Sequence, residues 1–249
     1  LFGVLQVAVL GMLCSYPFQG YGPVSIAFST LHMGASAVFA CWLWRGHVAI
    51  PAARTHLRIA LGAMVLSGLG PLALGPLAAL DLRDSPFYTL SIYFYLHAQY
   101  NGWFLFFLQA TVLQEASTRH QIDEHAATRS AHWLGAGLVL TLAQSTLWLH
   151  PPAWVFGVAA VGGLAQLVGV ALFVRALRWH WLPTSRGTRV ALASFFGSVL
   201  VSQAILVLWP LGWTFNGANP LPPLAIAAAV TALAALALAL RRVRTRPQG

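Results

Sequence analysis

Apolar stretches recur along this chain at a length that suits a bilayer better than a soluble core. A spanning helix takes about 20 consecutive, mostly apolar residues. Eight stretches qualify, at roughly 1–16, 20–44, 57–80, 87–114, 131–149, 153–174, 188–210 and 221–240. The fifth and sixth are divided by His150-Pro151-Pro152, a helix-breaking turn. The pattern predicts an all-α fold: a polytopic integral membrane bundle of about eight transmembrane helices, forming a single transmembrane domain over 1–249. The loops are short, so no soluble domain is expected.

The cationic positions give this division a direction. The loops 44–57, 115–131 and 175–189, together with the C-terminal tail and with Arg58 at the edge of the first loop, hold thirteen of the fourteen Arg, and the alternate loops hold only Arg83. Cytoplasmic loops carry the excess of Lys and Arg, so both termini are expected in the cytoplasm. A helix count wrong by one would destroy the alternation.

Composition narrows the class further. The chain is 58% hydrophobic and 8% charged, with a mean hydropathy of +0.72, whereas soluble domains carry about 25% charged residues. The net charge of +9 would suggest nucleic acid in a soluble protein. Here the Arg flank apolar spans, so the expected surroundings are the lipid bilayer, with no nucleic acid. Basic residues that are all Arg, beside abundant Ala, Leu and Trp, fit a GC-rich bacterial genome and hence a multi-pass protein of a bacterial inner membrane. Cys14 and Cys41 lie near opposite ends of consecutive spans and are expected as free thiols. No CxxCH occurs, which excludes covalent c-type haem. The first stretch lacks a basic n-region and an A-x-A site and is expected to be a retained helix.

Polar residues inside the spans carry what chemistry there is. Seven of the nine His (His47, His56, His120, His125, His132, His150 and His180) fall at or beyond predicted helix ends, where solvated or interfacial positions are expected. His32 and His97 are deep. They lie twelve and ten residues past the starts of the second and fourth stretches, about 18 and 15 Å at the helical rise. The hydrocarbon core is about 30 Å thick, so both fall near its midplane on helices of the same direction. Ser25, Ser29 and Ser36 share one face with His32. Tyr93, Tyr100 and Asn101 stand at i−4, i+3 and i+4 from His97. Such polar groups can orient a ligating imidazole, and Gly102 predicts a local bend.

Neutral imidazole ligates haem iron, copper and zinc. The expected cofactor is therefore haem b between the second and fourth helices, with His32 and His97 as ligands. Ser29, Ser36, Tyr93, Tyr100 and Asn101 would be its supporting shell, and aromatics from Phe94 to Phe104 its lining. Copper is the alternative, although Met33 points about 100° away from His32 around the helix, and Gln99 is similarly displaced from His97. The roles expected of such a site are respiratory electron transfer, small-gas chemistry with O2 or NO, or oxidase biogenesis. Other membrane subunits, or a quinone or cytochrome redox partner, would complete it. No reaction follows from the residues.

Other classes fit less well. All five carboxylates (Asp81, Asp84, Glu115, Asp123 and Glu124) sit at or outside helix ends, which argues against a proton-coupled transporter. No HExxH, Walker or GxGxxG motif is present. Polar runs at Ser194, Ser198 and Ser202, at Thr141, Gln144 and Ser145, and at Gln166 read as packing seams. A non-redox transporter or a structural subunit of a larger membrane complex remains the other reading. The run from Leu31 to Trp44, LHMGASAVFACWLW, resembles the first His helix of copper-resistance membrane proteins and of b-type cytochrome bundles. One His on the second and one on the fourth helix resembles the first half of a haem A synthase, which implies a haem site there. The ExxxHR motif is absent, and the sixth and eighth stretches have no His. The resemblance is architectural and covers at most residues 1–115.

Overall fold

The structure is a computed structural model that describes residues 1–46, 48, 50–119 and 122–177. The stretches expected at 188–210 and 221–240, the Ser194–Ser202 seam, His47, His120 and His180 lie outside those residues. Among the described residues all regular structure is helical and no strand forms. The helices are α1 (Phe2–Gln19), α2 (Pro23–Trp44), α3 (Pro51–Ser67), α4 (Leu69–Ala79), α5 (Pro86–His97), α6 (Leu105–Arg119), α7 (Glu124–Thr141) and α8 (Ala153–Ala176). A π-helical segment, Ala98–Phe104, joins α5 to α6, and a 3-10 segment, Leu142–Leu149, continues α7.

Local chemistry sets the helix starts. Pro23, Pro51 and Pro86 occupy first-turn positions, where a missing N–H costs nothing. Ser85 caps α5 by accepting from Tyr88 N, and Asp123 caps α7 by accepting from Ala126 N at 2.9 Å. Four helical runs are long and apolar enough to cross a membrane: Phe2–Gln19, Pro23–Trp44, Pro51–Ala79 and Ala153–Ala176. The third is α3 and α4 together, broken at Gly68. The stretches expected at 87–114 and 131–149 coincide with α5–π–α6 and with α7 plus its 3-10 extension.

Helix α3 is the hub. It packs on α2, the π segment, α6 and α7, while α1 pairs with α2, α4 with α5, and α7 with α8. Small residues let these backbones approach, as they must where lipid supplies no hydrophobic drive for helix association. A Cβ on Gly102 would strike the Ala63 Cβ of α3, and one on Gly162 would come within 2.7 Å of the Thr141 backbone N. Gly102 is thus buried for close approach to α3, in a widened π turn rather than the simple bend expected of it. Between α7 and α8, Ser130 Oγ donates to Gly169 O at 2.7 Å and Gln166 Nε2 to Thr141 Oγ1 at 3.1 Å, so these polar residues do form a packing seam. Apolar side chains such as Phe2 and Phe18 stand exposed on α1, as suits a lipid-facing helix. Cys14 and Cys41 are both free and exposed.

One expectation is corrected. His56, grouped above with the solvated His, has 0% exposure. It shares the core-facing side of α3 with Ala52, Ala53, Ala60 and Leu61. Its Nδ1–H donates to Ala52 O at 2.9 Å, and its ring lies 5.9 Å from those of both Phe106 and Phe173. Helix α3 begins at Pro51, well before the expected start at 57, so the residue lies a turn inside the packed bundle. His125 and His132 are exposed on α7, and His150 is exposed in a left-handed turn with φ 52.

Candidate functional site

A cavity of about 610 Å³ opens among α1, α2, α3, α4 and the last turns of α5. Its volume lies within the range of ligand sites, about 300–1,000 Å³. From α2 come Ser29, His32, Met33 and Ser36; from α3, Met64 and Ser67; from α1, Met12 and Tyr16; and from the α5–π run, Tyr95 and Gln99. Gly68, at the break between α3 and α4, forms part of its wall and leaves room beside it for the Met33 side chain, whose Sδ would lie 3.4 Å from a Cβ there.

Hydrogen bonds fix the polar side of this cavity. Gln99 Nε2 donates to Ser67 Oγ at 2.7 Å, and Ser67 Oγ donates to Met64 O at 2.6 Å. The amide is thereby held by its nitrogen. The Tyr16 and Tyr21 rings meet edge to face, with centroids 5.2 Å apart, where the α1–α2 turn closes one end. Farther along the same hairpin, Ser25 Oγ donates to Ser15 Oγ at 3.0 Å. Ser25 therefore ties α2 to α1, whereas Ser29 and Ser36 of the same stripe remain at the cavity.

His97 does not face this cavity. Its Nε2–H donates to Leu138 O on α7 at 2.8 Å, and its Nδ1 accepts from Asn101 Nδ2 at 3.2 Å. Both ring nitrogens are used, in a manner that the neutral Nε2–H tautomer satisfies. The partner carbonyl explains why. At the end of α7 the N–H of Leu142, the usual α-helical partner of Leu138 O, bonds to Val139 O and Leu140 O instead. Leu138 O thereby loses its usual α-helical donor as the helix tightens into its 3-10 extension. Thr141 Oγ1 reaches it only at 3.4 Å, so His97 fills the gap. A backbone carbonyl turned away from water needs a partner inside the protein. Histidine, Asn101 and the π segment together supply one.

The residues expected to surround one cofactor thus divide between two faces of one helix. Tyr95 and Gln99 are one turn apart and share the cavity side. His97 stands two residues from each, on the opposite side, because positions i and i+2 do not face the same way. Tyr93 leans on Trp148 with ring centroids 6.4 Å apart, and Tyr100 is exposed beside Phe104. Of the expected set, the structure gathers His32, Ser29 and Ser36 at the cavity, and His97 with Asn101 at the end of α7. The sequence reading missed Gln99, Ser67 and Met64. The two faces of this helix carry equal polar signal, and only its neighbours distinguish them.

Two further buried polar side chains stand outside this cavity, His56 on α3 and Gln109 on α6. His56 Nε2 and both amide atoms of Gln109 are buried with no hydrogen-bond partner. Among the described residues there is no group of three or more His, Cys, Asp or Glu placed to hold a metal ion. In comparisons with known proteins, the chain matches no family model, no curated protein and no solved structure.

Proposed function

We propose that this chain is a multi-pass protein of a bacterial cytoplasmic membrane, with eight spans and both termini in the cytoplasm, that holds a metal cofactor in the His32 cavity. The cofactor classes are those expected of a midplane imidazole, haem b or copper. The role is respiratory electron transfer, small-gas chemistry or oxidase biogenesis. One observation carries the reading: His32 opens, with Ser29 and Ser36, onto a ligand-sized cavity midway along an apolar helix. Intramembrane ionisable residues are expensive to keep and mark functional sites by default. Among the described residues His32 is the sole imidazole at this cavity, and His97 serves as the cap of α7. The cofactor is therefore held by one histidine, and non-histidine groups complete its coordination.

The test is purification of the full chain from its native membrane in mild detergent, with an absorbance spectrum and metal analysis. A Soret band or stoichiometric copper is expected, and His32→Ala should abolish it while the protein still inserts. If the unaltered protein carries neither, the transporter or structural-subunit reading takes its place. That rival draws support from the full hydrogen bonding of His97, which withdraws the second imidazole expected for a bis-His haem.

A further inference from the structure

Trp44 closes α2 and Pro51 opens α3, at the turn between two runs long and apolar enough to cross a membrane. The run Pro51–Ala79 has 29 residues, about 43 Å at the usual helical rise. In a bilayer with a hydrocarbon core of about 30 Å, about 6 Å at each end of the run lies at the headgroup level. Arg54 falls in that layer. Its Nη2 donates to Val48 O at 2.9 Å, which pins the guanidinium against the turn. Arg58 stands one turn further on the same face of α3. Its guanidinium lies 5.4 Å from the centroid of the Trp44 ring, a cation–π distance. Both Arg are exposed. Neither pairs with a carboxylate among the described residues, and the rest of the chain contains no Asp or Glu. No acidic residue stands in the first turn of α3, so the positive end of the helix adds to the two guanidinium charges instead of offsetting them.

Beyond this pair the same face of α3 turns apolar. At Gly62, four residues past Arg58, a Cβ would meet nothing within 4 Å among the described residues. Val65 and Leu69 follow it on that face, exposed at 48% and 53%. The row is a cationic end, an open gap and an apolar strip, the order of a lipid headgroup and its tail. From this order we infer that Arg54 and Arg58 bind the phosphate of an anionic phospholipid, whose acyl chain lies in the gap at Gly62 and along Val65 and Leu69. Guanidinium groups present paired N–H donors that match phosphate oxygens, and Arg54 keeps others beyond the one given to Val48 O. Both side chains are held before a lipid arrives, so less freedom is lost on binding. A soluble phosphate ester would satisfy the guanidinium groups but leave the apolar row bare. A zwitterionic lipid would cover the row but bring its own cation to the pair. An anionic phospholipid meets both. No cofactor in the His32 cavity is required.

The experiment is native mass spectrometry of the full chain, purified and delipidated in mild detergent, then titrated with phosphatidylglycerol or with phosphatidylcholine. One phosphatidylglycerol per chain is expected to bind more tightly than phosphatidylcholine. Arg54→Gln and Arg58→Gln should each weaken it by roughly fivefold, and the double variant by roughly twenty-five-fold, the loss that the attraction of one Arg for an anionic membrane surface implies. Arg83→Gln removes the same charge from the turn between α4 and α5 and should leave the affinity unchanged. Gly62→Leu fills the gap and should weaken binding with both Arg in place. Unchanged thermal midpoints of the lipid-free variants confirm their folds. Should Arg54→Gln unfold the turn, Arg58→Gln, which breaks no hydrogen bond, carries the test alone. Equal affinity for the two lipids overturns the assignment, as does phosphatidylglycerol binding that survives loss of the Arg. So does displacement of the lipid by an equal concentration of sn-glycerol 3-phosphate, which would make the pair a site for soluble phosphate esters. Lipid mass is the readout, so the outcome is separate from whether the His32 cavity holds a metal or haem.

Discussion

Replacing His97 with Phe separates the two roles that this residue can have. The substitution keeps the ring and its volume but removes both nitrogens. Leu138 O then loses its 2.8 Å donor and retains only the 3.4 Å approach of Thr141 Oγ1. Asn101 Nδ2 loses its acceptor. Interhelical side-chain hydrogen bonds in a membrane average about 0.6 kcal/mol, while a buried carbonyl left without a donor costs about 1–3 kcal/mol. The second figure should dominate, because the Leu142 N–H, its usual helical donor, is engaged by Val139 O and Leu140 O. Unfolding of the detergent-solubilised protein in an SDS titration should therefore show a loss of about 1–3 kcal/mol. His97→Gln, which keeps a donor of similar reach, should recover part of it. Adding Asn101→Leu to His97→Phe should return the portion due to the stranded amide. Copper or haem content should not change, because His97 faces α7 and the cavity lies on the other side of its helix. Loss of the cofactor with stability unchanged would refute this account and make His97 a ligand.

Other expectations follow from neighbouring features. Gly102→Ala should destabilise by about 1–3 kcal/mol, the usual cost of overpacking, because its Cβ meets Ala63, and Ala63→Gly should rescue it in the same unfolding assay. His56→Ala should cost about 2–5 kcal/mol, as for other large-to-small changes in a core. His56→Leu should cost less than about 1.5 kcal/mol, since it also removes the unpartnered Nε2; thermal melts of both variants decide whether this histidine is core or surface. For the topology, Arg244→Cys should react with a membrane-impermeant maleimide only from the cytoplasm and Ala218→Cys only from outside. Labelling of both from one side would refute eight spans.

Much of the architecture was legible in the sequence because a bilayer imposes a coarse rule. Apolar length and the absence of deep charge identify spanning helices without reference to any neighbour. Every apolar stretch expected within the described residues coincides with a helical run, and four of these runs are long and apolar enough to cross a membrane. The place of His32 midway along α2, and the face that it shares with Ser29 and Ser36, were equally readable, since position along one helix and face of one helix are local properties. His56 was within reach as well: Ala52, His56 and Ala60 recur every four residues on the core side of α3, and Pro51 marks the true helix start.

What the chain alone left open was which face of each helix meets which partner. In the segment YFYLHAQYNGW, His97 with Asn101 and Tyr95 with Gln99 form two polar faces of similar strength. Nothing local says which of them borders a cavity. Tertiary structure decided it, by placing the loosened end of α7 against one face and α1–α4 against the other. It also turned Gly102 from a presumed point of bending into the contact with α3, and brought three methionines scattered over some fifty residues to one cavity. Sequence spacing reports the angle around a single helix. Convergence of side chains from different helices depends on how the helices pack, which is fixed by small residues and end carbonyls far from them in sequence.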